Sequence, residues 1–203
     1  MEDGNALFYI MKQVPDAFQM ICRKIYETVS TGDVIVSTDM YCSSSIKTME
    51  RKRRGDGEKL IIKGPSTKRP RDWKKFLTNS ENKQQFINLL HDQLSQREHF
   101  DGRKFIFVKD GEAFDLTMNN EIIPSLTSNQ EETDSRVVLY SQYASQQNYD
   151  SVRIKSPDSD IFWILLYHAR GIDSQVLYDT GFGNNRRLIN ICLLYTSPSP
   201  RDS

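Results

Sequence analysis

The chain has 203 residues, enough for one ordinary domain with a sizeable core, and its 27 Lys and Arg balance 27 Asp and Glu. Its three scattered cysteines show neither a disulfide framework nor zinc-ligand spacing, so we expect a reducing, intracellular compartment. The longest apolar run, residues 161–167, is far too short to span a bilayer, which argues against a membrane protein.

The first part of the chain alternates between strand and helix patterns. Asp3-Gly4-Asn5 reads as the end of a strand. Apolar residues recur with helical spacing over residues 16–29 and predict a helix with one buried face, which Gly32 ends. The β-branched run at residues 34–36 predicts a short strand that delivers Asp39 just beyond its end.

A basic segment follows these elements. Residues 43–54 have a helical pattern rich in Lys and Arg, and the glycines and prolines of residues 55–71 predict a mobile loop. Residues 47–75 carry twelve Lys and Arg against four Asp and Glu, so the remainder of the chain has a net charge of −8. Such asymmetry is typical of a nucleic-acid-binding protein, although a solvated surface or a nuclear-localisation signal would also account for it.

The middle of the chain predicts a helix, a hairpin and a second helix. Residues 81–96 place their apolar side chains on one helical face. Residues 104–108 and 112–117, joined by Asp110-Gly111, predict a β-hairpin. Ser128 and Glu131 form a capping-box pattern that predicts a helix beginning at Glu132.

The last third continues the alternation. Residues 151–155 predict a strand, Ser156-Pro157 predicts the start of the next helix, and residues 175–178 and 187–191 predict two late strands. Strands alternating with helices predict a three-layer α/β/α fold with a mainly parallel central sheet and a small β-hairpin insertion.

The final twelve residues, CLLYTSPSPRDS, differ from the rest of the chain. They resemble a translated sequencing-library adapter, and we expect this tail (residues 192–203) not to belong to the native fold. The expected domain is therefore residues 1–191. We also expect the gene to continue beyond residue 191 and the N-terminus to be clipped.

Two acidic pairs carry the strongest functional signal. Glu132 and Asp134 open one helix pattern, and Asp158 and Asp160 follow the next strand. Because ligands gather outside the carboxyl ends of strands in α/β folds, these carboxylates should meet in one crevice. They would repel one another without a cation, and ligand sets made only of oxygen suit Mg²⁺ or Mn²⁺. Each acid could also be an ordinary helix-start residue, and Glu131 could replace Glu132 because i and i+3 share a helix face.

These motifs together resemble the XPG/flap-endonuclease class and the 5′-nuclease domain of bacterial DNA polymerases, a PIN-like fold. EETD followed by SPDSD is similar to the paired acidic motifs of that class. DGNALFY is similar to its first motif, and STDMYCSSSIKTMERKRRG to its second. The resemblance covers residues 3–191 and implies a divalent-metal-dependent nuclease that hydrolyses phosphodiester bonds in DNA or RNA.

The resemblance also implies roles for individual residues. The implied ligands of a two-metal site for Mg²⁺ or Mn²⁺ are Asp3, Asp39, Glu132, Asp134, Asp158 and Asp160. Lys47 and Arg54 are the implied catalytic residues that reach the scissile phosphate. Candidate nucleic-acid contacts are Arg51, Lys52 and Arg53 on the same helix, and Lys68, Arg69 and Arg71 in the basic loop. The class supplies a further Asp and a helix–hairpin–helix element that this chain does not show, so the site is expected to be incomplete.

Two other functions stay open at this point. The first is a non-catalytic nucleic-acid-binding or scaffolding protein on a degenerate PIN-like fold, derived from a mobile element. The second is a phosphatase or nucleotidase on a similar sheet, which would need an enclosed pocket instead of an open basic groove.

Overall fold

A computed structural model of the protein describes residues 1–41 and 59–196. These residues form an α/β fold in which a mostly parallel, eight-stranded sheet separates two layers of helices. The expected fold class and the three-layer arrangement are therefore confirmed.

The bounds of the elements are as follows. The strands are β1 (Glu2–Asp3), β2 (Val34–Ser37), β3 (Phe105–Lys109), β4 (Glu112–Asp115), β5 (Glu121–Ile122), β6 (Ser151–Lys155), β7 (Gln175–Thr180) and β8 (Arg187–Asn190). The helices are α1 (Gly4–Ile10), α2 (Phe18–Thr28), α3 (Trp73–Thr78), α4 (Ser80–Ser95), α5 (Thr133–Gln146), α6 (Ser159–His168) and α7 (Ile191–Thr196). Single turns of 3₁₀ helix lie at Pro124–Leu126, Ala169–Gly171 and Gly183–Asn185. None of the helices in the described ranges is long and apolar enough to cross a bilayer.

The strand order is β5-β4-β3-β2-β1-β6-β7-β8. Strand β1 lies parallel between β2 and β6, the pairs β2–β3 and β6–β7 are also parallel, and β4, β5 and β8 extend the edges in antiparallel pairing. The chain builds one half of the sheet outward from β1 and then returns to build the other half, so the strand order reverses there. In open α/β sheets, ligands bind outside the carboxyl ends of the strands at such a reversal.

Two hydrophobic cores lie on opposite faces of the sheet, and β3 shows how the sequence separates them. Phe105 and Phe107 pack with α1 to α4 on one face. Ile106 and Val108 pack with α5 and α6 on the other. Successive side chains of a strand point to opposite faces, so this run of apolar residues supplies both cores at once.

The hairpin at Asp110-Gly111 forms as predicted. Asp110 has φ 52° and Gly111 has φ 80°, the pair of positive values that a type I′ turn requires. The hairpin is part of the sheet rather than an addition to it, because β3 also pairs in parallel with β2.

Three local predictions need correction. Gly4 does not continue a strand, because α1 begins there with Asp3 as its N-cap. Ser128 does not cap α5, because its hydroxyl accepts the amide of Gln130 at 3.2 Å and the helix begins later, at Thr133. Pro157 lies outside α6, whose N-cap is Asp158.

The described part of the predicted mobile loop is anchored to α4. The backbone amide of Leu60 donates to Asn82 Oδ1 at 2.9 Å, and that of Ile62 donates to Gln85 Oε1 at 3.1 Å. Both apolar side chains also pack against the first core. The predicted helix over residues 43–54 and the first residues of the loop lie outside the described residues.

The tail that was expected to stand apart from the fold begins with helix. Helix α7 includes Cys192, whose sulfur accepts the backbone amide of Val176 at 3.5 Å.

A candidate metal centre at the carboxyl end of the sheet

An acidic residue lies at, or a few residues beyond, the carboxyl end of each of three neighbouring parallel strands. Asp3 is the last residue of β1, Asp39 comes two residues after β2, and Asp158 comes three residues after β6. Since β1 lies between β2 and β6, these carboxylates reach the same edge of the sheet. The start of α5 brings Glu132 and Asp134 to this group.

The carboxyl group of Asp3 is partly buried and lies near a second carboxylate, that of Asp39. Burial raises its pKa above the ordinary value, and the negative charge of Asp39 raises it further. Three hydrogen bonds oppose that rise: the amide of Ala6 donates to Oδ1 at 3.0 Å, the hydroxyl of Ser156 donates to Oδ2 at 3.1 Å, and the amide of Asn5 also donates to the carboxylate. The group is thus held in a fixed orientation beside a second carboxylate.

Asp134 connects the remaining acids. Its pKa is raised first by burial and next by the charge of Glu132, with smaller contributions from Asp158 and Asp39. Asp39 therefore influences both Asp3 and Asp134, which links carboxylates from four separate segments of the chain.

The conformation of Glu132 explains how it can act beside Asp134. Glu132 is the N-cap of α5 and has extended backbone angles, φ −102° and ψ 144°. The rule that i and i+2 point to different sides of a helix therefore does not apply to this pair. Glu132 is among the charges that raise the pKa of Asp134.

Asp160 is the sixth predicted ligand, and it lies two residues beyond Asp158. It is exposed in the first turn of α6, and its backbone amide donates to Oδ1 of Asp158 at 2.9 Å. The backbone of Asp160 thus helps to orient the carboxylate of Asp158.

Ser156 is a site residue that the sequence did not reveal. Its buried hydroxyl donates to Asp3 and accepts the backbone amide of Asp158 at 3.2 Å. It therefore links Asp3, at the end of β1, to Asp158, which follows β6. The Ser-Pro pair was interpreted only as a helix start, and nothing in the local pattern indicates a partner more than 150 positions away.

Arg136 is a second missed residue, and it orients the backbone around the acids. Its side chain is only 1 % exposed. Nη2 donates to the carbonyl of Thr38 at 2.5 Å, and Nε donates to the carbonyl of Glu132 at 3.2 Å. One guanidinium thus holds the backbone next to Asp39 and that of Glu132. In sequence it resembles an ordinary surface Arg of a helix.

Gly4 permits the close approach of α1 to β2 directly after Asp3. A Cβ atom at this position would lie 2.8 Å from Cγ2 of Thr38 and 2.9 Å from the carbonyl oxygen of Ser37. The absence of a side chain therefore helps to set the position of Asp3 relative to Asp39.

The predicted basic residues fall into two groups. Lys47, Arg51, Lys52, Arg53 and Arg54 lie outside the described residues. Lys68 and Arg71 are exposed, whereas Arg69 donates from Nε to the carbonyl of Val14 at 3.1 Å and from Nη1 to that of Pro70 at 3.1 Å. Arg69 therefore holds its own loop in place.

The chemistry of the donor set suits a hard divalent cation. The group offers only carboxylate oxygens as donors. In residues 1–41 and 59–196, no three His, Cys, Asp or Glu side chains already form a group that could hold a metal ion. The residues fit Mg²⁺ or Mn²⁺ by their chemistry, and their side chains would have to close around it.

The chain matches no family model, no curated protein and no solved structure. The resemblance to the flap-endonuclease class rests on the motifs themselves. The fold puts the acids of those motifs at the ends of β1, β2 and β6 and at the start of α5.

Proposed function

We propose that the protein is a divalent-metal-dependent nuclease on a PIN-like, flap-endonuclease-like fold, and that it hydrolyses phosphodiester bonds in DNA or RNA. One observation carries the proposal: acids from four separate segments of the chain lie at one edge of the sheet, where the charges of neighbouring acids raise the pKa of Asp3 and of Asp134. Bringing like charges together in this way lowers the stability of the folded protein. Clusters of this kind are concentrated at functional sites.

The proposed ligands divide into an inner and an outer set. The five acids Asp3, Asp39, Glu132, Asp134 and Asp158 would hold Mg²⁺ or Mn²⁺, and Asp160, two residues beyond Asp158, would contribute through water. A bound pair of such ions supplies an activated water and stabilises the leaving oxygen in an in-line displacement. Reaction in this way needs no covalent bond between enzyme and substrate.

The other residues of the site orient these ligands. Ser156 holds the Asp3 carboxylate by its hydroxyl, and Arg136 holds two carbonyls of the segments that carry Asp39 and Glu132. The supporting contacts are therefore in place before any ion binds, which reduces the rearrangement that binding requires.

Basic residues would bind the substrate around this centre. We propose that Lys47 and Arg54 neutralise the scissile phosphate, with further contacts from Arg51, Lys52 and Arg53. Exposed Lys68 and Arg71 suit contacts to flanking phosphates. An intracellular location, in the nucleus if the basic clusters act as a localisation signal, is part of the same proposal.

The proposal is tested by cleavage of labelled single-stranded, hairpin and flap substrates of DNA and RNA by the protein encoded by the complete gene. We expect cleavage in Mg²⁺ or Mn²⁺ and none in EDTA. Asp134→Asn should lower the rate about 100-fold or more, because it removes a ligand charge. Asp173→Asn is the matched control, because Asp173 is exposed and precedes β7 at the opposite edge of the sheet.

A second candidate function is nucleic-acid binding without catalysis. It is favoured by the hydrogen bonds that three of the acids already make: Asp3 caps α1, Asp39 accepts an amide at the start of α5, and Asp158 caps α6. Acids with such structural contacts can persist after a catalytic site is lost. Tight binding of a substrate by the complete protein, without metal-dependent cleavage, would select this function and reject the nuclease.

A further inference from the structure

A cavity of about 210 Å³ lies directly beside the acidic group. Asp3 and Ser156, which belong to the acidic group, line this cavity together with Arg186 and the loop from Thr180 to Gly183. Pockets for drug-sized ligands usually measure about 300 Å³ or more, so this one suits a single base or a single phosphate with its sugar.

Two cations line this cavity, and each is fixed by a buried carboxylate. Lys155 Nζ lies 3.0 Å from Oε2 of Glu2. Arg186 binds Asp179 through two bonds, Nε to Oδ1 at 2.8 Å and Nη2 to Oδ2 at 2.6 Å. Glu2 and Asp179 are each only 2 % exposed, so they hold the two cations from the protein interior.

Arg186 keeps donors for a ligand. Its side chain is 54 % exposed although the carboxylate it binds is buried. A guanidinium has five N–H donors, and the pair with Asp179 uses two of them. The remaining donors form a rigid, planar group of the kind that binds phosphate well.

Phe182 adds an aromatic surface at the rim of the cavity. It is 52 % exposed and lies between Gly181 and Gly183, whose φ angles are 76° and 55°. A Cβ atom on Gly181 would lie 2.3 Å from the carbonyl oxygen of Asn185, so the tight turn depends on glycine. This turn holds an exposed ring in the lining of the same cavity as the guanidinium of Arg186.

We propose that this cavity, which we call the Phe182 pocket, binds one nucleotide of a single-stranded DNA or RNA next to the phosphate that is cleaved. The ring of Phe182 stacks on the base, and Arg186 and Lys155 hold the phosphate. The inference rests on the proposed function for its ligand class, because the pocket shares a wall with the candidate metal centre. Stacking on an aromatic ring accepts any base, which suits binding without sequence preference.

The first experiment measures stacking. Fluorescence anisotropy of labelled oligo(dT) and oligo(rU), recorded in Ca²⁺, should show dissociation constants about tenfold higher for Phe182→Ala than for the natural chain. Phe182→Trp should bind as the natural chain does. Tyr167→Ala removes an aromatic ring that is 80 % exposed near the other end of α6, and it should bind normally. Loss with only one of the two oligonucleotides would identify the preferred kind of nucleic acid and still support the pocket.

The second experiment measures the phosphate contact. The double variant Asp179→Asn/Arg186→Gln avoids leaving a buried carboxylate without its partner. The logarithm of its affinity for oligo(dT) should depend less steeply on the logarithm of salt concentration, with a slope smaller by about 0.7, the value for one phosphate of a single strand. A structural effect alone would lower affinity and leave this slope unchanged.

These measurements separate the pocket from hydrolysis. If the natural chain binds oligonucleotides through Phe182 and the complete protein never cleaves them, the pocket stands and the nuclease proposal fails. If Phe182→Ala binds as tightly as the natural chain, or if Tyr167→Ala loses as much affinity, the pocket is wrong whatever the cleavage assay shows. Absence of any binding by the natural chain would also overturn it.

Discussion

The carboxylate of Asp39 accepts a hydrogen bond from the backbone amide of Thr133 at 3.1 Å, across 94 positions of sequence. The first amides of a helix lack partners within the helix and favour a negative charge. Asp39 therefore stabilises the start of α5 while it stands beside Asp134, whose pKa it raises. The side chain of Asp39 thus contributes both to the stability of α5 and to the candidate metal centre.

The two roles of Asp39 can be separated by two substitutions. Asp39→Asn keeps an oxygen that can accept the amide of Thr133, so the free energy of unfolding should change little while affinity for Mn²⁺ falls. Asp39→Ala should lose the same affinity and about 1 kcal/mol of stability, since it also removes the helix-start acceptor. Urea unfolding and Mn²⁺ titration of both variants measure these effects. Equal stability of the two variants would show that the hydrogen bond contributes nothing.

Arg136 should be essential for the shape of the site. Arg136→Met removes the donors to the carbonyls of Thr38 and Glu132, and we expect a loss of about 3 kcal/mol in urea unfolding. The variant that remains folded should also bind Mn²⁺ more weakly, because the segments that carry two ligands are released. Arg23→Met is a suitable control, since its ion pair with Glu27 is exposed and worth at most about 0.5 kcal/mol.

Gly4 should tolerate no side chain. Gly4→Ala places a methyl group against Thr38 and the carbonyl of Ser37, and overpacking of this kind costs about 1–3 kcal/mol. Because the displaced residue follows Asp3 directly, affinity for Mn²⁺ should fall as well. Gly32→Ala provides the control, as nothing lies within 4 Å of its added Cβ atom. If both variants unfold at the same urea concentration, the close approach has no energetic importance.

The stability of the site should depend on pH in a defined direction. The pKa of Asp134 is raised in the folded protein, so its carboxyl binds a proton more tightly when folded than when unfolded. Its contribution to stability therefore falls as pH rises from the ordinary value of 3.8 through the raised value. Asp134→Asn, which cannot ionise, should have a higher Tm than the natural chain at about pH 7 in EDTA.

The difference in Tm between the two proteins should be largest where Asp134 of the natural chain is ionised in the folded state, at about pH 7 and above. It should vanish near about pH 3, where the carboxyl is protonated in both states. Comparing the two proteins is necessary because Asp179 titrates in the opposite sense: its partner Arg186 lowers its pKa, so its contribution is lost as pH falls. Addition of Mn²⁺ should raise the Tm of the natural chain more than that of the variant. A larger difference near pH 3 than near pH 7 would contradict this account.

The sequence predicted those features that depend on short-range pattern. Short strand patterns followed by Asp39 and by Asp158 predicted strands with an acid beyond their ends, and Asp110-Gly111 predicted the turn of a hairpin. Both signals are local, because the steric preferences of strands and the positive φ angles of the turn each involve only a few consecutive residues. The alternation of these strands with helices was enough to predict the layers. Helix α1 was missed because seven residues carry too little periodicity to distinguish a helix from a strand end.

The supporting contacts of the site could not be predicted in the same way. The capping box at Ser128 was wrong because Asp39, distant in sequence, bonds the amide of the first residue of α5 instead. The buried position of Arg136 and the double role of Ser156 likewise follow from how segments pack. Such partners are chosen by tertiary contacts, which local residue patterns do not record.

The most direct test of the central claim is a Mn²⁺ titration, followed by electron paramagnetic resonance, of the natural chain and of five single variants. The variants are Asp3→Asn, Asp39→Asn, Glu132→Gln, Asp134→Asn and Asp158→Asn. We predict saturable binding by the natural chain and by the control Asp173→Asn, and a loss of about tenfold or more in each of the five. Binding that none of the five weakens, or that only one of them weakens, would show that these carboxylates do not share a metal centre.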